Sequence, residues 1–402
     1  MTNVTPVSKG DNMIRTKKLV GIVLTMAVLS GLAVSCEKYG SSEENEESTP
    51  AEIITAGSVL EELPRGEYEV SEVNGTGDMY DITEISALND SRYLIVSDTS
   101  EYGDADVQKL YIADDKDGSI TEITPDLGLG KTAYYSATGT TDGKIFITAV
   151  EPKYFLGKDP GHAEEENMPQ DYIDHIFSHA SRVNYKLFEI DTNGKVVSEN
   201  KLDIDYDKEK PVCWLKCEDS WDNELVISAK AVFDDCKRTT YYVADKSGSI
   251  KDEIENYIPY CRATVMKMTS KGNFCFVGTD FCSDTPRDAL YFYYRYKKYY
   301  ELEGEAGVKK EDFGCNSRSA GICAGTMGHG NDLLYLSSGI GLFAYDRDWQ
   351  YENIINYIDL IPDNMEIQSV AVLDNNSVIV LGIGFFKDED CYKSVLYRFR
   401  SK

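Results

Sequence analysis

No CxxC pair occurs anywhere in this chain, although it holds ten cysteines. That argues against zinc ribbons and thioredoxin-type exchange, which need two thiols at that spacing. Positive charge is also scarce: 41 Lys and Arg stand against 69 Asp and Glu, a formal net charge of −28. A surface this acidic repels phosphate backbones and anionic lipid, so nucleic acid is not an expected partner. The chain also lacks a GxSxG elbow, a P-loop and a Gly-rich dinucleotide fingerprint. Sialidase-type Asp boxes and the tryptophan docking repeats of quinoprotein propellers are missing too. Carboxylates are too numerous for one pair to stand out as a glycosidase acid and base. These absences point to a binding protein rather than an enzyme, and no cofactor is expected.

What is present begins with an export signal. Arg15, Lys17 and Lys18 precede an apolar or small-residue run from Leu19 to Val34, and Ser30, Gly31, Ala33 and Ser35 lead to Cys36. A basic start, a short apolar stretch and small residues at the cut define a secretory signal. A cysteine directly after the cut marks the lipoprotein variant, so Cys36 is the expected lipidation site. Leu32-Ala33-Val34-Ser35-Cys36 departs from the usual lipobox in carrying Ala three residues before Cys. A plain N-terminal membrane anchor is the competing reading, but the run is at the short end of the ~17–25 residues a spanning helix needs. Met13 also has the proportions of a start site for such a signal.

Residues 1–35 are therefore read as signal peptide and 36–65 as an acidic tether, since Glu37 to Pro50 is too polar and charged to bury anything. An acidic stretch after a lipid cysteine also resembles surface-export signals of some Gram-negative anaerobes, with a plain spacer the simpler account. Cleavage would remove four basic residues and one acid, leaving 37 basic and 68 acidic residues, net −31. Nine cysteines would follow Cys36, an odd number that leaves at least one thiol unpaired or joined to another chain. Cys213 and Cys217 fall on one face of an expected strand about 13 Å apart, at ~3.3 Å per residue, beyond disulfide reach. Buried thiols acting as small hydrophobes, as in an anaerobic habitat, are the simplest account.

Residues 66–402 repeat a pair of hairpins. The first hairpin turns at Asn89-Asp90, Asp142-Gly143, Asp222-Asn223, Lys271-Gly272, Gly330-Asn331 and Asn375-Asn376, each followed by an apolar run such as Tyr93-Leu94-Ile95-Val96. The second ends a strand at Asp114, Asp191 or Asp245 and turns at Gly118, Gly194 or Gly248. Gly and Asn supply the positive φ of tight hairpin turns, and the flanking β-branched and aromatic residues suit a pleated surface. Two hairpins make a four-stranded sheet that cannot bury both faces alone. The expected fold is all-β, a β-propeller of six four-stranded blades, with seven blades or a two-sheet sandwich as alternatives. The last copy stops one strand short, and Gly66 to Val73 has the alternation to supply it, which would close the ring.

In this phase the segment between Val150 and Arg182 is an insertion joining the second and third strands of blade two. It lies at the end where the blades are linked, and Met168-Pro169-Gln170-Asp171 opens a short helix. Tyr172, Ile173, Ile176 and Phe177 form its apolar stripe. Tyr154, Tyr172, His175 and His179 are the candidate ligand-binding residues. Asp171, His175 and His179 share a helix face and are a weak metal candidate, but Ile176 follows His175, so the HExxH base is absent. Asp115-Lys116-Asp117-Gly118 and Glu189 to Gly194 resemble calcium loops, yet Thr124 and Asn200 stand where an EF-hand needs Glu, so both read as hairpin turns. Tyr291 to Tyr300 is the densest aromatic patch; as one strand it would send Tyr291, Tyr293 and Arg295 one way and Phe292, Tyr294 and Tyr296 the other. Packing between blades is the preferred role, sugar stacking the alternative.

The run Leu187 to Glu199, the acidic helical insertion before it and the lipobox together resemble the propeller regions of lipoproteins from gut anaerobic bacteria. Some of these resemble a propeller joined to the extracellular solute-binding domain of an ABC importer. The resemblance covers about residues 36–402 and rests on hairpin motifs; the chain ends at Lys402 without a matching solute-binding domain. It implies a lipid-anchored extracytoplasmic binding module in nutrient or ligand capture linked to uptake. Its partners would be the membrane through the lipid, a small molecule or glycan, or an envelope protein such as an importer component. An interaction scaffold and a glycan-active enzyme are the alternatives.

Overall fold

The computed structural model describes residues 67–402 apart from 77–78, 80, 90, 99–107, 131, 155–175, 232–238, 255–260, 271–272, 281–286, 295–296, 304–321, 328–333, 339–340, 346–350, 358–359, 363, 374–376 and 387–390. The signal, Cys36 and the tether lie outside the described residues, as do Asp171, Tyr172, His175 and the turns at Lys271-Gly272, Gly330-Asn331 and Asn375-Asn376.

Among the described residues the first strand is β1 (Tyr68–Glu72), followed by four-stranded antiparallel meanders. Sheet one holds β2 (Asp81–Ala87), β3 (Arg92–Asp98), β4 (Gln108–Asp114) and β5 (Ile120–Glu122). Sheet two holds β6 (Tyr134–Gly139), β7 (Ile145–Tyr154), β8 (Ala180–Ile190) and β9 (Val196–Lys201). Sheet three holds β10 (Val212–Trp221), β11 (Glu224–Ala231), β12 (Thr239–Asp245) and β13 (Ile250–Ile254). Sheet four holds β14 (Cys261–Ser270), β15 (Asn273–Asp280), β16 (Arg287–Tyr294) and β17 (Lys297–Glu303). Sheet five holds β18 (Ile322–Met327), β19 (Leu334–Ser338), β20 (Gly341–Tyr345) and β21 (Tyr351–Asn356). Sheet six orders β1 beside β24 (Cys391–Ser401), β23 (Ser377–Phe386) and β22 (Met365–Val372).

The first strands adjoin one another in turn, β2, β6, β10, β14, β18 and β22, and β22 adjoins β2 again. They therefore ring a common axis, and the fold is an all-β propeller. Side chains on successive strand positions explain why the sheets need each other. On β3, Tyr93 and Ile95 enter the core shared with sheet six, whereas Leu94 and Val96 enter the core shared with sheet two. On β7, Ile145 and Ile147 face sheet one while Phe146 and Val150 face sheet three. A period of two thus buries both faces of sheets one and two, at roughly 1.5–3 kcal/mol for each large aliphatic side chain.

The hairpin turns follow the chemistry expected of them. Asp191 Oδ1 accepts the N–H groups of Asn193 and Lys195, both at 2.9 Å, and Asp245 Oδ1 accepts those of Ser247 and Ser249. Asp114 and Asp117 likewise accept the N–H groups of Lys116 and Ser119, so both calcium-like segments are turns whose carboxylates cap backbone donors. Gly194 and Gly248 sit at φ 78° and 90°. A Cβ on Gly194 would collide with the Ile123 carbonyl of sheet one, and on Gly248 with the Lys201 carbonyl of sheet two. Glycine here lets each second hairpin lean on the outer edge of the preceding sheet.

The N-terminal strand closes the ring as expected. β1 pairs antiparallel with β24, from Tyr68 opposite Ser401 to Glu72 opposite Tyr397. Sheet six also holds sheet one by charge. Asp115 is buried in the second hairpin of sheet one and meets Arg398 and Arg400 of β24, the latter at 3.1 Å, with Ser377 Oγ donating to it at 3.0 Å.

Two expectations need correction. The blade-two insertion is shorter than Val150–Arg182, because β7 and β8 extend their ladder to the pair Tyr154 and Ala180. The aromatic run is not one strand: Tyr291–Tyr294 ends β16 and Lys297–Tyr300 opens β17, with Tyr294 opposite Lys297. The hairpin carries no Gly, Asn or Asp at its turn, the signal on which the other turns were read. Arg295 and Tyr296 lie outside the described residues.

Candidate functional site

The inner strands build the site, and bulges aim it. In five of the six sheets the first pairing slips by one residue: at Thr83 in β2, Glu218 in β10, Cys323 in β18 and Gln368 in β22, and between Ala263 and Val265 in β14. β6 pairs with β7 without a slip. An extra residue kinks a strand and redirects side chains. Here Thr83, Glu218 and Gln368 line a cavity of about 110 Å³ on the axis, walled by β2, β10, β14, β18 and β22.

Its charged wall is an ordered network. Lys216 Nζ lies 2.6 Å from Glu84 Oε2 and 4.0 Å from Glu218 Oε2, so sheet three reaches sheet one directly. Ser86 Oγ donates to Glu84 Oε1 at 3.2 Å, and Ser228 Oγ to Glu218 Oε1 at 2.5 Å. Burial works against the Lys216 charge, but Glu84 and then Glu218 outweigh it and hold the ammonium above the ordinary lysine value. Lys267 on β14 donates to the Glu218 carbonyl at 3.3 Å. Charges this enclosed persist because each is paired or hydrogen-bonded.

Asp219, next to Glu218, has a structural task. It accepts Thr141 N at 2.6 Å, Thr141 Oγ1 at 2.5 Å, Ser220 N at 2.9 Å and Met268 N at 2.8 Å, joining sheets two, three and four. Burial pushes its carboxyl upward, while Lys267 and these donors restrain the rise. Ser369 holds the same post-bulge position on β22 and exchanges hydrogen bonds with the Ile85 backbone of sheet one. The bulges thus serve both ring closure and the cavity wall.

Of the residues singled out from sequence, the two that are described, Tyr154 and His179, do not line this cavity. Tyr154 ends β7 and packs half-buried on the core between sheets two and three. His179 closes a helical turn at 176–179 and sits exposed, its Nδ1 3.1 Å from Ser178 Oγ. Ile176 and Phe177 of the expected apolar stripe are buried in that same core, with Phe177 stacked 6.4 Å from Tyr134. Tyr154 and His179 are therefore neighbours at the base of the insertion, on the end of the ring where the sheets are linked. Among the described residues no three His, Cys, Asp or Glu are grouped to hold a metal. Nearby Glu151 is buried: burial raises its carboxyl, but Lys153 at 2.6 Å, the Gly130 N–H and Lys186 outweigh this and hold it low.

Sequence reasoning missed Glu84, Lys216, Glu218 and Lys267. Each is an ordinary polar residue in an alternating strand, and only the bulges bring them to one point. Cys217 beside them is a fully buried thiol whose pKa is raised by burial, in keeping with a small hydrophobe.

No family model matches the chain, and no curated protein matches it. Solved structures similar to it include a protein of unknown function from Dyadobacter fermentans DSM 18053, 10% identical with a TM-score of 0.49 over 83% of this chain and 98% of that one. The Hadza microbial sialidase Hz136 is 12% identical with a TM-score of 0.48, covering 83% of this chain and 68% of that one. The PQQ-bound aldose sugar dehydrogenase of Streptomyces coelicolor is 9% identical with a TM-score of 0.43, covering 84% of this chain and all of the other. At these identities and scores the likenesses say nothing of ligand or activity.

Proposed function

We propose that this protein is a lipid-anchored, extracytoplasmic β-propeller of six blades that binds a ligand at its axis and link end, without turning it over. The observation that carries the reading is the axial cavity, where bulged inner strands converge polar side chains on one small space. A concave site with a few fixed polar groups is the usual form of a ligand site. Its carboxylates are engaged: Glu84 by Lys216 and Ser86, Glu218 by Ser228.

Support for the anchor and compartment comes from the basic start, the apolar run and the small residues before Cys36, and from the acidic tether after it. Capture of a nutrient for uptake, with an envelope importer component as partner, follows from the resemblance to gut-anaerobe lipoproteins. The test is to screen purified protein against small nutrients, a glycan array and envelope extracts. Saturable retention of an unaltered small molecule or glycan supports the reading. Product formation abolished by carboxylate substitutions would replace it with an enzyme, and capture of an envelope protein alone with a scaffold.

A further inference from the structure

We propose that the axial cavity binds a small zwitterion, a molecule with one ammonium and one carboxylate and about the size of glycine or alanine. The inference deepens the binding reading above and rests on it. Two groups in the wall are left with capacity to spare. Lys267 Nζ donates to the Glu218 carbonyl at 3.3 Å and, among the described residues, has no carboxylate within ion-pair distance, so donors remain for an anion. Glu218 Oε1 is taken by Ser228, whereas Oε2 stands 4.0 Å from Lys216 Nζ, beyond hydrogen-bond range. An acceptor for an ammonium and a donor for a carboxylate therefore line one cavity, on the neighbouring strands β10 and β14.

Charge balance narrows the ligand. The cavity wall sets two carboxylates, Glu84 and Glu218, against two ammonium groups, Lys216 and Lys267. A lone anion or a lone cation would unbalance that set in a place of low dielectric. A zwitterion satisfies Lys267 and Glu218 together and leaves the net charge as it was. Size narrows the ligand further: at about 110 Å³ the cavity is smaller than the ~150 Å³ cavity that takes up a benzene ring, which favours a short zwitterion over one with an aromatic side chain.

Titration calorimetry on the purified protein tests this with glycine, L-alanine, acetate, methylammonium and L-tryptophan. Glycine or L-alanine should bind saturably, acetate and methylammonium at least tenfold more weakly, and L-tryptophan without detectable heat. Lys267→Met and Glu218→Gln should each weaken the zwitterion at least tenfold. If either variant fails to fold, the wild-type series decides alone. Equal affinity for acetate or methylammonium overturns the two-charge site, and no heat from glycine or alanine overturns the proposal altogether. In that last case a glycan or nutrient bound in the broader screen leaves the binding module standing, and an inert protein removes both.

Discussion

Asp115 and Arg398 join the two ends of the chain. The carboxylate is buried in sheet one, and the guanidinium comes from β24, which β1 flanks on its other edge. The junction between sheet six and sheet one is where the N- and C-terminal parts of the ring meet, and this pair sits at it, supported by Arg400 and Ser377. Asp115→Asn should lower unfolding stability by about 3–5 kcal/mol, the usual cost of breaking a buried ion pair. Denaturant unfolding followed by tryptophan fluorescence measures it, and a change below about 1 kcal/mol would remove the seam from the account. Deleting residues 66–73 takes away the outer strand and should also broaden the transition, which an unchanged melting profile would refute.

A glycine comparison tests how the sheets lean on each other. Gly118 and Gly194 hold the same place in successive second hairpins, at φ 73° and 78°. Alanine at either should cost about 1–2 kcal/mol for the left-handed backbone. Only at Gly194 would the new Cβ strike the carbonyl of Ile123, whereas Gly118 has no atom within 4 Å of that position. Gly194→Ala should therefore be clearly the more destabilising in thermal melts; equal losses would mean the contact between sheets carries little.

Acid should loosen the third sheet's outer hairpin. The Asp245 carboxyl is lowered to about 2, first by its hydrogen bond to Lys251 and then by Ser247 and the backbone N–H groups of Ser249 and Ser247. A folded pKa below the unfolded value near 3.9 means the stabilisation is complete above about pH 4. It is lost as pH falls through about 2. Carboxyl chemical shifts titrated by NMR check the value. An Asp245 midpoint near 4 would show that the turn does not hold its carboxylate.

The proposed lipid attachment rests on one side chain, Cys36. Cells given labelled fatty acid should mark the wild-type protein and leave Cys36→Ala unmarked, with the variant released from the membrane fraction. Label retained by the variant would place the anchor elsewhere.

The link end as the proposed ligand mouth is tested by replacing Tyr172, His175 and His179 together with Ala. The base of this insertion is anchored by Ile176 and Phe177 in the core between sheets two and three, so the fold should persist. Partner or ligand affinity should fall at least tenfold. Full binding by the variant would place the mouth away from the insertion.

Much of the fold was legible because it is written locally. Asp114, Asp191 and Asp245 cap their own turns, Gly194 and Gly248 supply positive φ, and the alternation in Tyr93 to Val96 assigns each side chain to one of two cores. Closure by Gly66 to Val73 was legible from the missing strand of the last copy. The cavity was not. A bulge is a property of a pair of strands, and nothing in Leu215-Lys216-Cys217-Glu218 announces that its ladder slips. Glu84 and Lys216 meet only because two sheets face one axis. The aromatic run misled because its turn lacks the residues that mark the other turns.

The most direct measurement is equilibrium dialysis of the purified protein against a defined mixture of small nutrients, with the retained molecules released and weighed by mass spectrometry. The account predicts one small molecule, chemically unchanged, held at up to one equivalent and reduced at least tenfold in Lys267→Met. Release of a converted product, or retention that the variant leaves untouched, would contradict it.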